Sequence, residues 1–159
     1  MYARNLQKAI RSPVLAVAVV VVFAGTALGT ASTGFTATPL ARGTLSESVH
    51  FNSGEVKFQT KAAVDFVTNS VAIAAGGSSG WHSHPGVTLV TVASGTVVHY
   101  DMHCVATVYP AGTAFVESGD HPLLVRNETA SPAVNIVTFL VPAGVATRID
   151  QPNPGCPQN

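Results

Sequence analysis

The chain has 159 residues, 47% of them hydrophobic and only 10% charged, with a formal net charge of zero. That suits one compact domain and excludes an intrinsically disordered chain, which needs low hydrophobicity and high charge. The charge is unevenly placed: Arg4, Lys8 and Arg11 stand alone at the start, and from residue 32 five basic residues (Arg42, Lys57, Lys61, Arg126, Arg148) face eight acidic ones. A mildly acidic remainder with scattered charges argues against nucleic acid or an anionic membrane surface as partner.

The three cations are followed by an apolar run over residues 14–29 and then by Gly29-Thr30-Ala31. A positive flank, an apolar stretch and a small-x-small site together have the form of an export signal. Residues 1–31 are therefore expected to be a helical signal peptide, or a membrane anchor through residues 12–31 if uncleaved. The run is at the short end for a spanning helix, which needs roughly 20 apolar residues. In either case the positive flank stays in the cytoplasm and the rest is secreted or membrane-anchored, extracytoplasmic. Apart from this segment no membrane contact is expected.

Residues 32–46 are rich in Thr, Ala and Gly and read as a linker or a lead-in strand. From residue 47 the pattern is that of β structure. Residues 56–60 alternate, and 64–74 are rich in Val, Ile and Ala. Turn signals then recur at Gly76-Gly77, Pro85-Gly86, Ser94-Gly95, Pro110-Ala111-Gly112, Ser118-Gly119-Asp120 and Pro142-Ala143-Gly144. Between them, strands are expected over 87–92, 96–100, 105–109, 114–117, 123–126 and 134–141, the last a central strand buried on both faces. Many short strands at such spacing predict an all-β sandwich or barrel over residues 47–150.

Cys104 and Cys156 are the only cysteines. In an exported protein such a pair oxidises, so a Cys104–Cys156 disulfide is expected, pinning the proline-rich tail 151–159 to the barrel. The chain-entropy model gives such a bridge about 4 kcal/mol. The alternative is a Cys104 metal thiolate beside His103.

His82 and His84 lie two apart in Gly80-Trp81-His82-Ser83-His84-Pro85-Gly86. On an extended segment they share a face, and paired imidazoles are a common grip on a transition metal. Trp81 and Ser83 then face the other way, Trp81 to pack. No Ser-His-Asp arrangement and no phosphate-cradling glycine loop is legible. His50, His99 and His103 read as turn-flanking or half-buried strand residues.

The order Gly76, His82-x-His84, Gly95, Pro110-x-Gly112, a downstream His and Asn127 resembles the two sequence motifs of the cupins, over residues 73–144. The flanks, Ala41-Arg42-Gly43-Thr44 before the barrel and Arg148-Ile149-Asp150 with a terminal Cys after it, resemble those of small exported actinobacterial cupins. The resemblance implies a single jelly-roll barrel with two His and a Glu from motif one and a third His from motif two on one metal. Two of those positions depart. The glutamate position falls on Thr88, and the motif-two histidine falls on Leu123 or Phe115, depending on the residue counted from. The nearest substitutes are His121, which shares a face with Leu123 on a regular strand, and Glu117, which shares one with Phe115. Asn127 is expected to satisfy backbone groups at a turn.

The expected site is therefore His82 and His84, completed by His121, Glu117 or both, around a divalent transition metal (iron, manganese, zinc, copper or nickel) and a small-molecule ligand. An enzyme on this site would be a metal-dependent oxygenase or isomerase. The competing readings are a metal-free module holding a small sugar or aromatic compound, and an interaction domain whose barrel edges pair in a homodimer.

Overall fold

The computed structural model describes residues 29–157. The expected signal or anchor helix falls on residues 1–28, outside the described residues, and its last three positions are not helical. Among the described residues every regular element is a strand, and no helix is long and apolar enough to cross a membrane.

The strands are β1 (Thr33–Leu45), β2 (His50–Ser53), β3 (Val56–Gln59), β4 (Val64–Ser78), β5 (His82–Ser83), β6 (Val87–Ser94), β7 (Thr96–Tyr100), β8 (Ala106–Pro110), β9 (Ala114–Ser118), β10 (Leu124–Arg126), β11 (Ala133–Pro142) and β12 (Ile149–Asp150). Residues 32–46 thus take the strand alternative. β1 lies antiparallel along β4 from Thr33↔Ser78 to Leu45↔Val64, with a register shift at Pro39, where a strand cannot donate to its ladder.

The strands follow the order β8-β7-β10-β4-β11-β6-β9, with β1 on β4. β4 carries the fold by being long: Val64–Ile73 pairs β11, while Ser78 reaches β10. That one strand therefore joins a five-stranded layer (β1, β4, β11, β6, β9) to a three-stranded one (β10, β7, β8). The result is a nearly closed, jelly-roll-like barrel.

Period-two alternation decides what is inside. On β6, Thr88, Val90 and Val92 are buried while Val87, Leu89 and Thr91 are exposed. β11 is central, between β4 and β6, but only its odd-numbered residues are buried, so burial on both faces is not what forms. The core gathers Val71, Ile73, Val90, Val92, Val97, Phe115, Val137, Phe139 and Val141. Gly95 turns β6 into β7 at φ +74, where a Cβ would sit 2.8 Å from the Ala133 Cα, so the turn needs glycine twice over.

A polar cluster and a covalent bridge hold the periphery. Asp65 on β4 is buried and accepts from the Thr44 hydroxyl, the Gly144 amide and the Arg42 guanidinium. These bonds, Thr44 first, lower its pKa from 3.8 to about 2. At the other end Cys104 and Cys156, 52 residues apart, form a disulfide with a Cα–Cα distance of 5.5 Å. Both sulfurs are consumed, so Cys104 is not a metal thiolate.

The disulfide anchors a C-terminal strap. β12 pairs with β5 at Ile149↔Ser83 and Asp150↔His82. The Gln151 amide donates to the Trp81 carbonyl, the Gln151 side chain to the Ser83 hydroxyl, and Arg148 to the Ser79 carbonyl. The short strand carrying His82 is thus sandwiched between the strap and Leu123, with which His82 exchanges both backbone hydrogen bonds (2.9 and 2.8 Å).

Candidate metal centre

His82 and His84 turn inward together, with ring centroids 4.8 Å apart and side chains deep in the barrel. Trp81 is buried on the other side as packing. Each imidazole is oriented through Nδ1. His82 Nδ1 lies 2.9 Å from the Gly80 carbonyl, and His84 Nδ1 lies 2.6 Å from the Thr147 carbonyl on the strap. A carbonyl only accepts, so both Nδ1 atoms carry the proton in the neutral ring. Both Nε2 lone pairs are then free to bind. This is the arrangement that outer-shell carbonyls impose on metal-ligating histidines.

Glu117 on β9 supplies the third group. Its Oε2 lies 3.1 Å from His84 Nε2, and its Oε1 has no hydrogen-bond partner although the side chain is only 4% exposed. Ligand atoms of His82, His84 and Glu117 all lie within 4.8 Å of one another, the one such group among the described residues. An unprotonated Nε2 and a carboxylate oxygen at 3.1 Å repel unless a proton or a cation lies between them. A buried carboxylate oxygen without a donor is costly for the same reason. The donor set fits a divalent transition metal, with two nitrogens and one carboxylate.

Burial sets the electrostatics. Desolvation, helped by Arg148 and His84, lowers the His82 pKa from 6.5 to about 3, so this ring is neutral and ready to ligate. His99 is also lowered, again chiefly by burial and against the pull of Glu117.

The remaining expected site residues fall elsewhere. His121, the other proposed completing ligand, lies in the turn before β10, 70% exposed and 4.0 Å from Asp120, and does not join the group. The turn Gly119–Pro122 swings it outward, because Pro122 cannot continue a strand ladder. Leu123 and Phe115, the two candidate motif-two positions, are core residues. Thr88 is fully buried with an unpartnered Oγ1, and it pairs directly across β6 and β9 with Glu117. Directly opposed residues project from one sheet face about 5 Å apart, so the carboxylate stands beside the position where the motif has one. Asn127 behaves as expected, donating to the Ile73 and Ser131 carbonyls and accepting from Thr129.

His99, which by sequence is an ordinary half-buried strand residue, stands beside the group. His99 on β7 packs on Phe115, with centroids 5.5 Å apart, and its Nε2 lies 3.9 Å from the unpartnered Glu117 Oε1. No motif marks it; only the closing of β7 over β9 brings it there.

The triad opens into a cavity of about 40 Å³ walled by Phe35, Ile73, Val90, Val125, Val137 and Phe139, with Asn135 presenting an unpartnered Oδ1. One water needs about 10–15 Å³ on this measure. The cavity therefore has room for about three waters.

No family model matches the chain, and neither does any curated protein. Among solved structures it is similar to the Cupin_2 domain of an XRE family transcriptional regulator from Enterobacter cloacae, at 18% identity over 69% of this chain and 97% of that one, TM-score 0.47. It is also similar to a cupin-like protein from Thermotoga maritima, at 16% identity over 55% and 65%, TM-score 0.49. A third is a conserved protein with a double-stranded β-helix domain from Klebsiella pneumoniae, at 14% identity over 67% and 87%, TM-score 0.48.

Proposed function

We propose that the chain is a small extracytoplasmic cupin, of the exported actinobacterial type, that binds one divalent transition metal on His82 Nε2, His84 Nε2 and Glu117. The observation that carries this reading is the Nδ1-protonated pair of imidazoles facing a buried carboxylate that has an oxygen to spare. A metal held by two nitrogens and one carboxylate would have coordination positions left for a ligand. The positively flanked apolar run over 14–29 and the disulfide support the extracytoplasmic setting.

A metal so held supplies Lewis acidity or, if redox-active, oxygen activation, the chemistry of an isomerase or an oxygenase. The chain's own part is positional. Gly80 and Thr147 carbonyls fix the two rings. The apolar walls exclude bulk water, and the Asn135 side chain faces the cavity as a hydrogen-bonding partner for a small oxygen-bearing ligand.

The second reading is a metal-free module in which the 3.1 Å His84–Glu117 contact is a protonated ion pair. Metal content separates the two. Protein purified without chelator or His-tag should hold one equivalent of zinc, iron, manganese, copper or nickel, or take it up on titration, and His82→Ala and Glu117→Gln should each abolish it. Folded, disulfide-bonded protein that takes up none would leave the metal-free module.

A further inference from the structure

The inner face of β11 breaks its own pattern once. Its inward residues are Ala133, Asn135, Val137, Phe139 and Val141, all buried, and Asn135 is the single polar one. Asparagine is a poor strand residue, and an amide on a core face costs free energy unless it is hydrogen-bonded. Asn135 is 2% exposed, and its Oδ1 has no hydrogen-bond partner. Its neighbours across the ladder are Val71 on β4 and Val92 on β6, both buried, and neither side chain can donate. Asn127, equally buried, is the contrast: its side-chain nitrogen and oxygen are both spent on fixing the chain.

Asn135 lines the same cavity as the candidate metal group. The other polar residues around that cavity are Ser79, His82, His84 and Glu117, and each has a task. The Ser79 hydroxyl donates to the Gly80 carbonyl and accepts from the Val125 amide. His82, His84 and Glu117 stand together as ligands. The remaining wall is apolar. Asn135 is thus a buried polar side chain with no structural work to do. A residue that breaks the local rule without any gain to the fold marks a place that function maintains.

We propose that Asn135 is the residue by which this cavity recognises its ligand, and that the ligand presents a neutral hydroxyl or amide N–H group to Asn135 Oδ1. The direction of the bond sets the class. Oδ1 only accepts, so the ligand must donate. A carboxylate or a fully ionised phosphate has no proton to give, and a charge is costly against Ile73, Val90, Val125 and Val137. An alcohol, an amide or an enol meets both conditions. Such recognition presupposes that the cavity takes a ligand, as proposed above, but not that a metal is bound there. It also confers selectivity. A buried acceptor left unpaired rejects an analogue without the donor far more strongly than an apolar wall rejects a missing methylene.

Two measurements on the disulfide-bonded chain test this. In chelator-treated protein Asn135→Val removes an unpaired polar group from the core, so its Tm should equal or exceed that of the wild type, by up to roughly 5 °C. If valine overpacks the site, Asn135→Ala, which adds no bulk, serves in its place. The second measurement uses acetamide and acetone, a probe pair of nearly equal shape that share a carbonyl oxygen, of which only acetamide has an N–H donor. Followed by protein NMR, acetamide should bind the wild type at least about 10-fold more tightly than acetone, and the variant should not distinguish them. Both probes are titrated into metal-free and zinc-treated protein, so a failure of metal uptake is read separately and leaves this comparison standing. A clear fall in Tm of Asn135→Val and Asn135→Ala alike would show the amide to hold structure and would overturn the proposal. So would a wild type that binds neither probe or both equally, or a variant that keeps the preference for acetamide.

Discussion

Cys104→Ala combined with Cys156→Ala tests whether the C-terminal strap supports the metal centre as well as the fold. The bridge closes a loop of 52 residues, and the chain-entropy model assigns it about 4 kcal/mol. For a domain of this size that corresponds to a fall in Tm of roughly 10–20 °C. The second effect runs along the strap. Cys156 anchors a segment whose Thr147 carbonyl fixes His84 and whose β12 pairs with the backbone of His82. Losing a partner that orients a ligand typically costs 10–100-fold in metal affinity, so zinc affinity of the folded variant should fall by about that factor. The assay is thermal unfolding followed by zinc titration below the variant's lowered Tm. A Tm change under about 3 °C would refute the loop argument. Unchanged zinc affinity in a destabilised variant would refute the coupling of strap to site.

Three further outcomes follow from the packing and electrostatics. In chelator-treated protein the folded-state pKa of His82, lowered to about 3, means that the unfolded chain takes up a proton below pH 6.5 that the folded one refuses. Its contribution is complete above pH 6.5 and falls by about 1.4 kcal/mol per unit as pH drops toward 3. Urea midpoints at pH 7.5 and 5.5 should show a steeper loss for the wild type than for His82→Gln, and equal slopes would contradict the assignment. Gly86→Ala would place a Cβ 2.0 Å from the Leu140 carbonyl oxygen on β11, so it should cost about 3 kcal/mol or more by prying β6 from β11; a Tm within a degree of wild type would be inconsistent with that contact. Asn127→Ala removes four side-chain hydrogen bonds and strands the Ile73 carbonyl inside, which should cost about 3 kcal/mol in denaturant unfolding.

Much of the barrel was legible because its strands obey one rule. Thr96–Tyr100 forms as the turn signals on either side of it imply, and 87–92, 114–117 and 134–141 are each extended by only a residue or two. The long edge strand β1 was harder. It is exposed on nearly every residue, so it has no alternation to reveal it. Its place is set by a distant ladder with β4 and by the Arg42–Asp65 pair, neither of which leaves a local signal. β11 misled in the opposite direction. The largely apolar run 134–141 reads as doubly buried, yet its even-numbered members lie half-exposed on the outer face of the sheet. Apolar content alone does not tell a strand buried on both faces from one buried on a single face.

The metal group shows why counting along a motif found two ligands and left the third between two candidates. Spacing within one strand fixes which residues share a face, so His82 and His84 followed directly from two-residue periodicity. A ligand from another strand depends on register, which a linear count does not contain. Counting places the glutamate at Thr88, where the chain has no carboxylate. Register places Glu117 opposite Thr88, one strand spacing away and on the same face. The carboxylate can therefore change strands without leaving the site, provided the two positions face each other. His121 fails that condition despite its chemistry, because Pro122 turns it out of the ladder. A direct test is the double exchange Thr88→Glu with Glu117→Thr, which moves the carboxylate back to β6. If cross-strand position is what matters, the exchange should keep metal binding within about tenfold of wild type, while Glu117→Thr alone abolishes it. Loss of binding in a folded double variant would mean that Glu117 is fixed by contacts of its own, such as His99, and is no simple replacement for the missing glutamate.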